Sequence, residues 1–187
     1  DAQAMCQAYE QQIEDWGGVD LQLLGIGHDG HIGFNEPADH FPIMTHEEKL
    51  TEMTIDANKR FFDSIDDVPR AAYTMGIGTI MKAKRIVVMA WGENKAEVIQ
   101  KVVEGDDTEL IPASLLQEHS NIEVVIDEFA GDKLTRVQAP WVVGSCEWTP
   151  KFTRKAVVWL CGIVNKPILK LTYKDYIENS LGELLEQ

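Results

Sequence analysis

Residues Arg85–Trp91, with the sequence RIVVMAW, form a nearly continuous apolar run that ends at Gly92. Such runs are typical of strands that are buried on both faces of a parallel sheet. Helical patterns flank the run, at Thr79–Ala83 before it and, with Asn94 as N-cap, through Val103 after it. Strands that alternate with helices predict an α/β fold with helices on both faces of the sheet.

The same alternation extends in both directions along the chain. Further strands are predicted at Val19–Leu24, Ala71–Ile77 and Asn121–Ile126. Further helices are predicted at Asp1–Trp16, Ile55–Phe62 and Pro112–His119. The segment Asp39–Thr51 has little periodicity, and we expect it to be a loop or a lid.

The last third of the chain has a different character. Thr149 and Pro150 are a good helix start, and the apolar run that follows predicts a well-buried helix through Val164. Pro167–Leu171 is predicted as an edge strand and Tyr173–Glu186 as a closing helix. We therefore predict a main domain at residues 1–128 and, at residues 129–187, a helical and edge-strand extension packed on the same domain.

Composition excludes several classes of partner. The chain has 187 residues, enough for one ordinary domain, and a formal net charge of -14. That charge repels the phosphates of nucleic acids and of anionic membranes, so neither is an expected partner. Cys6, Cys146 and Cys161 are odd in number and far apart, which indicates free thiols and a cytoplasmic location.

A glycine-rich segment directly follows the first predicted strand. Residues 25–37 read GIGHDGHIGFNEP and place Asp29, His31 and Glu36 close together in sequence. Ligands of open α/β sheets bind outside the carboxyl ends of strands. His31 is the candidate acid–base group, and the two carboxylates can orient its imidazole and stabilise its charged form. An isolated histidine would more often be structural, but this combination favours the catalytic interpretation.

The sequence does not favour a metal or a nucleotide. His28, Asp29 and His31 lack the spacing of the usual zinc sites, so we expect no metal and interpret His28 as a loop residue. Gly76–Thr79 lacks the third glycine of a dinucleotide fingerprint. Lys95 is a cation at a helix start, where anions bind, although most lysines are ordinary surface cations.

Residues 25–37 resemble the signature of the glucosamine-6-phosphate deaminase family, whose members are also called isomerases. The similarity covers roughly residues 15–128. It continues through Ala57–Phe62, Met75–Thr79, Asn94–Ala96, Val103–Gly105 and Pro112–Gln117. The resemblance implies a three-layer αβα architecture with a Rossmann-like, mostly parallel sheet.

The resemblance also implies a reaction, the conversion of glucosamine 6-phosphate and water to fructose 6-phosphate and ammonia. His31 would move the proton of the ring oxygen, and Asp29 and Glu36 would hold and tune it. Arg60 and Lys95 would bind the 6-phosphate. An enediol-type intermediate would follow, with no metal or cofactor, and a homo-oligomer is compatible with the family.

The chain departs from the family pattern in three ways. Family members carry about a hundred residues before the matching region, including a phosphate loop and a second proton-moving carboxylate. We therefore expect an incomplete sheet, half a site and an isolated chain without activity. Thr45–Lys49 is acid-rich where allosteric members carry basic residues that bind an effector, so we do not expect allosteric activation through this segment. Val143–Pro150 resembles deaminase-like proteins that are fused to a de-N-acetylase-type domain.

Two alternatives remain open. A 6-phosphogluconolactonase-like hydrolase belongs to the same superfamily, although its motif is expected to differ around Asn35–Pro37. A non-catalytic module that binds sugar phosphates, or a scaffold, would not need the missing proton-moving carboxylate.

Overall fold

The computed structural model describes residues 1–40 and 42–186. The chain divides into two compact units, Asp1–Gly131 and Asp132–Gln187. The domain boundary at residues 128 and 129 and the packing of the extension stay predictions. None of the helices in the described residues is long and apolar enough to cross a membrane.

The first unit contains all five strands that are assigned in the described residues. They are β1 (Leu21–Leu24), β2 (His46–Lys49), β3 (Ala71–Thr74), β4 (Arg85–Ala90) and β5 (Ile122–Ile126). Strands β1, β4 and β5 form a parallel sheet with β4 in the centre. The α/β class with a parallel sheet, which the sequence predicted, is confirmed.

Helices connect and cover these strands. In the first unit they are α1 (Ala2–Asp15), α2 (Glu52–Asn58), α3 (Ile77–Met81) and α4 (Ala96–Glu104), with 3₁₀ turns at Lys59–Phe61, Ile65–Asp67, Glu93–Lys95 and Pro112–Glu118. The residue that caps α4 is Lys95, not Asn94, because the 3₁₀ turn precedes the helix. Ile86 and Val88 of β4 and Ile99 of α4 are fully buried, so the apolar run of β4 forms the centre of the core.

The prediction of a loop or lid at Asp39–Thr51 is wrong for the second half of that segment. Phe41, in its first half, lies outside the described residues. Strand β2 forms there and pairs antiparallel with β3. The two strands make a separate two-stranded sheet, so β3 does not belong to the parallel sheet. The side chains of β2 alternate, with His46 buried and Glu47 exposed. Polar residues carry this alternation, so a hydrophobic pattern does not reveal it.

The second unit is helical and has its own aromatic core. It contains α5 (Thr135–Gln138), α6 (Pro150–Val164) and α7 (Tyr173–Glu178), with 3₁₀ turns at Pro140–Val142, Ile168–Lys170 and Gly182–Leu185. The ring of Trp141 lies 5.3 Å from Phe152 and 5.4 Å from Trp159, edge to face in both pairs. Such pairs stabilise a core beyond the area that they bury.

Three predictions for this region are wrong in whole or in part. The closing helix predicted at Tyr173–Glu186 ends at Glu178, and a 3₁₀ turn follows at Gly182–Leu185. Helix α6 starts at Pro150 with Thr149 as its cap, as predicted, but Val158 is 65% exposed and the helix buries only Ala156 and Leu160 fully. Pro167–Leu171 forms a 3₁₀ turn instead of an edge strand, because the Lys170 amide donates to the carbonyl of Pro167.

Asp175 connects α7 to the segment before it. The carboxylate accepts hydrogen bonds from Lys166 Nζ at 2.6 Å and from the amide and hydroxyl of Thr172, in a capping box. These donors, Lys166 foremost, lower the pKa of Asp175 to about 2. Because an unfolded aspartate titrates near 3.9, the charged carboxylate stabilises the folded unit above that pH.

We predict that Asp175→Asn lowers the melting temperature of the second unit at pH 7. The difference from the unchanged chain should shrink as the pH falls from about 4 towards 2, because the native carboxylate is then protonated as well. Near-ultraviolet circular dichroism of the tryptophan cluster measures this transition. Glu178→Gln, at an exposed ion pair with Lys174, should have little effect. A difference that stays constant down to pH 2 would contradict the assignment.

Candidate functional site

The glycine-rich segment closes into a tight loop immediately after β1. The amide of Gly27 donates to the carbonyl of His31 at 2.9 Å, which brings the two ends of the turn together. Gly30 has a φ of 89°, a backbone conformation that favours glycine, and its carbonyl accepts from the amide of Ala113. The loop therefore holds Asp29 and His31 at the carboxyl end of a parallel strand, as the sequence predicted.

His31 lies between the two carboxylates. Its Nδ1 is 2.7 Å from Asp29 Oδ1 and 3.6 Å from Glu36 Oε2. Asp29 Oδ1 also accepts the backbone amide of His31 at 3.2 Å, which fixes the aspartate relative to the ring. With Nδ1 engaged by Asp29, Nε2 is the nitrogen that can exchange a proton with a ligand.

The ring of His31 occupies the space that a side chain at position 27 would need. A Cβ atom built on Gly27 would lie 2.3 Å from both Cε1 and Nδ1 of the imidazole. That distance is far inside van der Waals contact, so only glycine is compatible with this ring position. The glycine-rich sequence thus has a steric purpose as well as a conformational one.

Glu36 is a buried carboxylate, with 5% of its surface exposed. The hydroxyl of Thr54, on α2, donates to Oε1 at 2.5 Å, and the hydroxyl of Thr51 lies 3.4 Å from Oε2. Sequence reasoning missed both threonines. Their spacing of three residues at the start of α2, where Thr51 is the N-cap, marks a helix start but does not indicate contact with Glu36.

Asn35 attaches the loop to the second sheet. Its side-chain amide is fully buried and donates to the carbonyls of Ile32 at 2.8 Å and Met75 at 2.9 Å. The amide of Phe34 donates to the hydroxyl of Thr74, at the end of β3. Strand β3 therefore contributes to the site by holding the segment that precedes Glu36.

A cavity of about 380 Å³ lies beside the His31 ring, and neither Asp29 nor Glu36 is among its lining residues. The loop residues Gly25–His28, His31 and Gly33 form one part of its wall, and Met53, Thr54, Ala57, Asn58, Arg60 and Lys95 form the other. The structure therefore brings the predicted cations Arg60 and Lys95 to the same cavity as His31. His28, which the sequence indicated as a loop residue, also lines it.

The two cations have different surroundings. Lys95 is half-buried, and its Nζ donates to the carbonyl of Ile26 at 2.6 Å. Burial lowers the pKa of Lys95, and the charge of Asp29 opposes that effect. Arg60 is exposed, and its guanidinium lies 4.7 Å from the centre of the Phe61 ring. Both can therefore offer hydrogen-bond donors and positive charge to an anion.

The acid–base cluster also has the donor set of a metal site, because ligand atoms of Asp29, His31 and Glu36 lie within 4.8 Å of one another. The distance between Nδ1 and Asp29 Oδ1, 2.7 Å, is that of a direct hydrogen bond. Two ligands of one zinc ion, each bound at about 2.0–2.1 Å in tetrahedral geometry, lie more than roughly 3 Å apart. The spacing therefore fits a hydrogen-bonded pair better than a shared ion.

The fold and the cavity together define an α/β domain with a cavity beside the carboxyl end of a parallel strand, lined by a histidine that is paired to a carboxylate and by two cations. Residues 1–126 match the family of glucosamine-6-phosphate isomerases and 6-phosphogluconolactonases. The chain belongs to this family.

Individual relatives agree with that assignment. A glucosamine-6-phosphate deaminase of Clostridium perfringens is 56% identical over 129 residues, which are 69% of this chain and 53% of the relative. A putative deaminase-like protein of Bacteroides thetaiotaomicron is 49% identical over 96% of this chain but only 27% of its own length. The chain thus spans about half or less of these curated relatives.

Solved structures support the same fold. A structure described as a monomeric glucosamine-6-phosphate deaminase is similar to this chain with a TM-score of 0.68 and 49% identity, over 71% of this chain and 55% of that one. A 6-phosphogluconolactonase from Trypanosoma cruzi has a TM-score of 0.53 at 19% identity, over 70% of this chain and 51% of its own. The lactonase shows the fold alone.

We predict that Gly27→Ala displaces the His31 ring and lowers the free energy of unfolding by about 1–3 kcal/mol, as overpacking does elsewhere. Gly25→Ala is the matched control, because a Cβ there meets nothing within 4 Å. It should change stability by less than about 0.5 kcal/mol. Denaturant unfolding and the imidazole ¹⁵N resonances of the two variants measure the effect. Equal behaviour of the two would contradict the described ring position.

Proposed function

We propose that the whole protein converts glucosamine 6-phosphate and water to fructose 6-phosphate and ammonia, and that this chain carries the ring-opening part of the site. One observation carries the proposal: His31, paired to Asp29 at 2.7 Å, lines the same cavity as Arg60 and Lys95. The 56% identity to a protein named glucosamine-6-phosphate deaminase favours this substrate.

His31 is the proposed acid–base residue. Nδ1 is held by Asp29, so Nε2 takes the proton of the anomeric hydroxyl and then gives it to the ring oxygen as the bond between the anomeric carbon and that oxygen breaks. The carboxylates of Asp29 and Glu36 stabilise the imidazolium that exists between these two transfers. The proton transfer between carbons, through an enediol-type intermediate, and the loss of ammonia follow.

Arg60 and Lys95 are the proposed phosphate-binding residues. Arg60 is exposed at the cavity and presents a planar set of donors that matches phosphate oxygens. Lys95 is bound to the carbonyl of Ile26, and a phosphate would offer its ammonium group a charged acceptor in place of a neutral one. We propose no metal and no nucleotide cofactor.

A cytoplasmic location and a role in amino-sugar catabolism, including sugar derived from N-acetylglucosamine, belong to the same proposal. Cys6, Cys146 and Cys161 are all free thiols, which suits a reducing compartment. Native mass measurement of the whole protein decides whether it is a monomer or a homo-oligomer.

Release of ammonia from glucosamine 6-phosphate by the whole protein tests the function. We predict that His31→Ala lowers kcat by at least about 100-fold, the scale of a lost acid–base group, with little change in the Kd for the substrate. His40→Ala is the matched control, because His40 is exposed and does not line the cavity. It should leave kcat unchanged.

Other outcomes distinguish the alternative functions. Tight binding of the sugar phosphate without release of ammonia would favour a sensor or scaffold. Hydrolysis of 6-phosphogluconolactone without deamination would favour the lactonase-like hydrolase. Either result would overturn the proposal.

For the phosphate site, we predict that Arg60→Ala raises KM by roughly 10- to 100-fold, the scale of a lost charged hydrogen bond of about 1.5–3 kcal/mol. The kcat should change much less, because the phosphate is remote from the reacting carbons. Lys59→Ala is the control, since the exposed Lys59 pairs with Asp56. An unchanged KM in Arg60→Ala would show that the phosphate assignment is wrong.

A further inference from the structure

The strongest contact of the Glu36 carboxylate is with a residue outside the glycine-rich segment. Thr54 is 2% exposed, and its hydroxyl donates to Glu36 Oε1 at 2.5 Å. This bond leaves Oε2 as the oxygen that lies nearest to His31, 3.6 Å from Nδ1. The rotation of the carboxylate about its last torsion is therefore set by a hydroxyl on α2.

Thr54 is itself fixed by its other polar groups. Its amide donates to the hydroxyl of Thr51 at 3.3 Å, and its carbonyl accepts the side-chain amide of Asn58 at 2.8 Å. The hydroxyl of Thr51 lies 3.1 Å from Thr54 Oγ1 as well as 3.4 Å from Glu36 Oε2, so its single proton is shared between two acceptors. The first turn of α2 thus forms a small, buried hydroxyl network around one carboxylate.

Burial makes this arrangement necessary. A carboxylate that is only 5% exposed needs donors to compensate for the water that it has lost. The donors that remain near Glu36 without the Thr54 hydroxyl are the Thr51 hydroxyl, 3.4 Å from Oε2, and Nδ1 of His31, 3.6 Å from the same oxygen. The separation of 3.6 Å, too long for a direct hydrogen bond, is therefore maintained by the competing bond to Thr54.

We propose that Thr54 is a positioning residue for the acid–base pair of Asp29 and His31. Its hydroxyl holds Glu36 at a distance where the carboxylate stabilises a charged imidazole without taking the Nδ1 proton away from Asp29. The inference rests on the proposed function, because it assigns a role in the same site. Thr54 also lines the cavity, but its hydroxyl donates to Glu36, and the proposed effect on His31 is exerted through that carboxylate.

Three variants test the proposal. Thr54→Val removes the hydroxyl and nearly preserves the volume, whereas Thr54→Ser preserves the hydroxyl. Thr79→Val is the matched control, because Thr79 is also 2% exposed and its hydroxyl also donates to a carboxylate, that of Glu10 at 2.6 Å, away from the cavity. It therefore reproduces the loss of a buried hydroxyl without a change at His31.

The kinetic expectation is a separation of kcat from KM. In the whole protein, Thr54→Val should lower kcat by roughly 10- to 100-fold, the scale of a misplaced catalytic group, with KM within about twofold because the phosphate site is untouched. Thr54→Ser should recover most of the activity. Thr79→Val should match the unchanged protein. A loss of kcat in Thr79→Val as large as in Thr54→Val would overturn the proposal, because it would indicate a general effect of destabilisation.

A second measurement does not depend on turnover. In the 187-residue chain, ring ¹⁵N spectra of the five histidines, with His31 identified from its loss in His31→Ala, report the state of each imidazole. Thr54→Val should move the His31 resonances, while Thr54→Ser and Thr79→Val leave them in place. Unmoved His31 resonances in a folded Thr54→Val chain would overturn the positioning role. A shift of these resonances in a protein that releases no ammonia would instead support the positioning role and reject the proposed function.

Discussion

The hydrogen bond between His31 and Asp29 can form only because position 27 has no side chain. The imidazole fills the volume in which a Cβ would lie, and the amide of Gly27 binds the carbonyl of the same histidine. The backbone of His31 is thus hydrogen-bonded to Gly27, and its side chain packs directly against the same glycine. The glycine makes room for the ring, and the bond to Asp29 holds it there, as an acid–base group needs if its free nitrogen is to meet one atom of a ligand.

The rest of the first unit supports that position from several directions. Strand β4 supplies the buried core, with Ile86 and Val88 fully enclosed, and β1 pairs beside it and leads into the loop. The small β2–β3 sheet holds the loop through Asn35 and Met75. Helix α2 holds Glu36 through Thr54. Distant parts of the chain therefore meet at one cluster, and the fold places there the buried carboxylate that a local loop could not shield from water.

How far the sequence predicts this arrangement depends on how local each signal is. The strand at Arg85–Ala90 is predictable because apolar side chains carry its pattern. The proximity of Asp29, His31 and Glu36 is predictable because they are neighbours in sequence. Strand β2 is not, because charged residues carry its alternation. The contact of Thr54 with Glu36 joins residues eighteen positions apart. Only the packing of α2 creates it, and no local pattern encodes it.

Electrostatics adds a last constraint, because a chain with a net charge of -14 must still attract an anion if it is to bind a sugar phosphate. Screening limits the influence of distant charges to about 8–10 Å at physiological salt, so the local cations decide. Lys95 lies near enough to Asp29 for their charges to interact, and burial strengthens that interaction. The cation proposed to bind phosphate and the carboxylate that is hydrogen-bonded to His31 are therefore electrostatically linked. An anion at Lys95 would offset the positive charge of the ammonium group, so that the net potential at His31 would favour the imidazolium more.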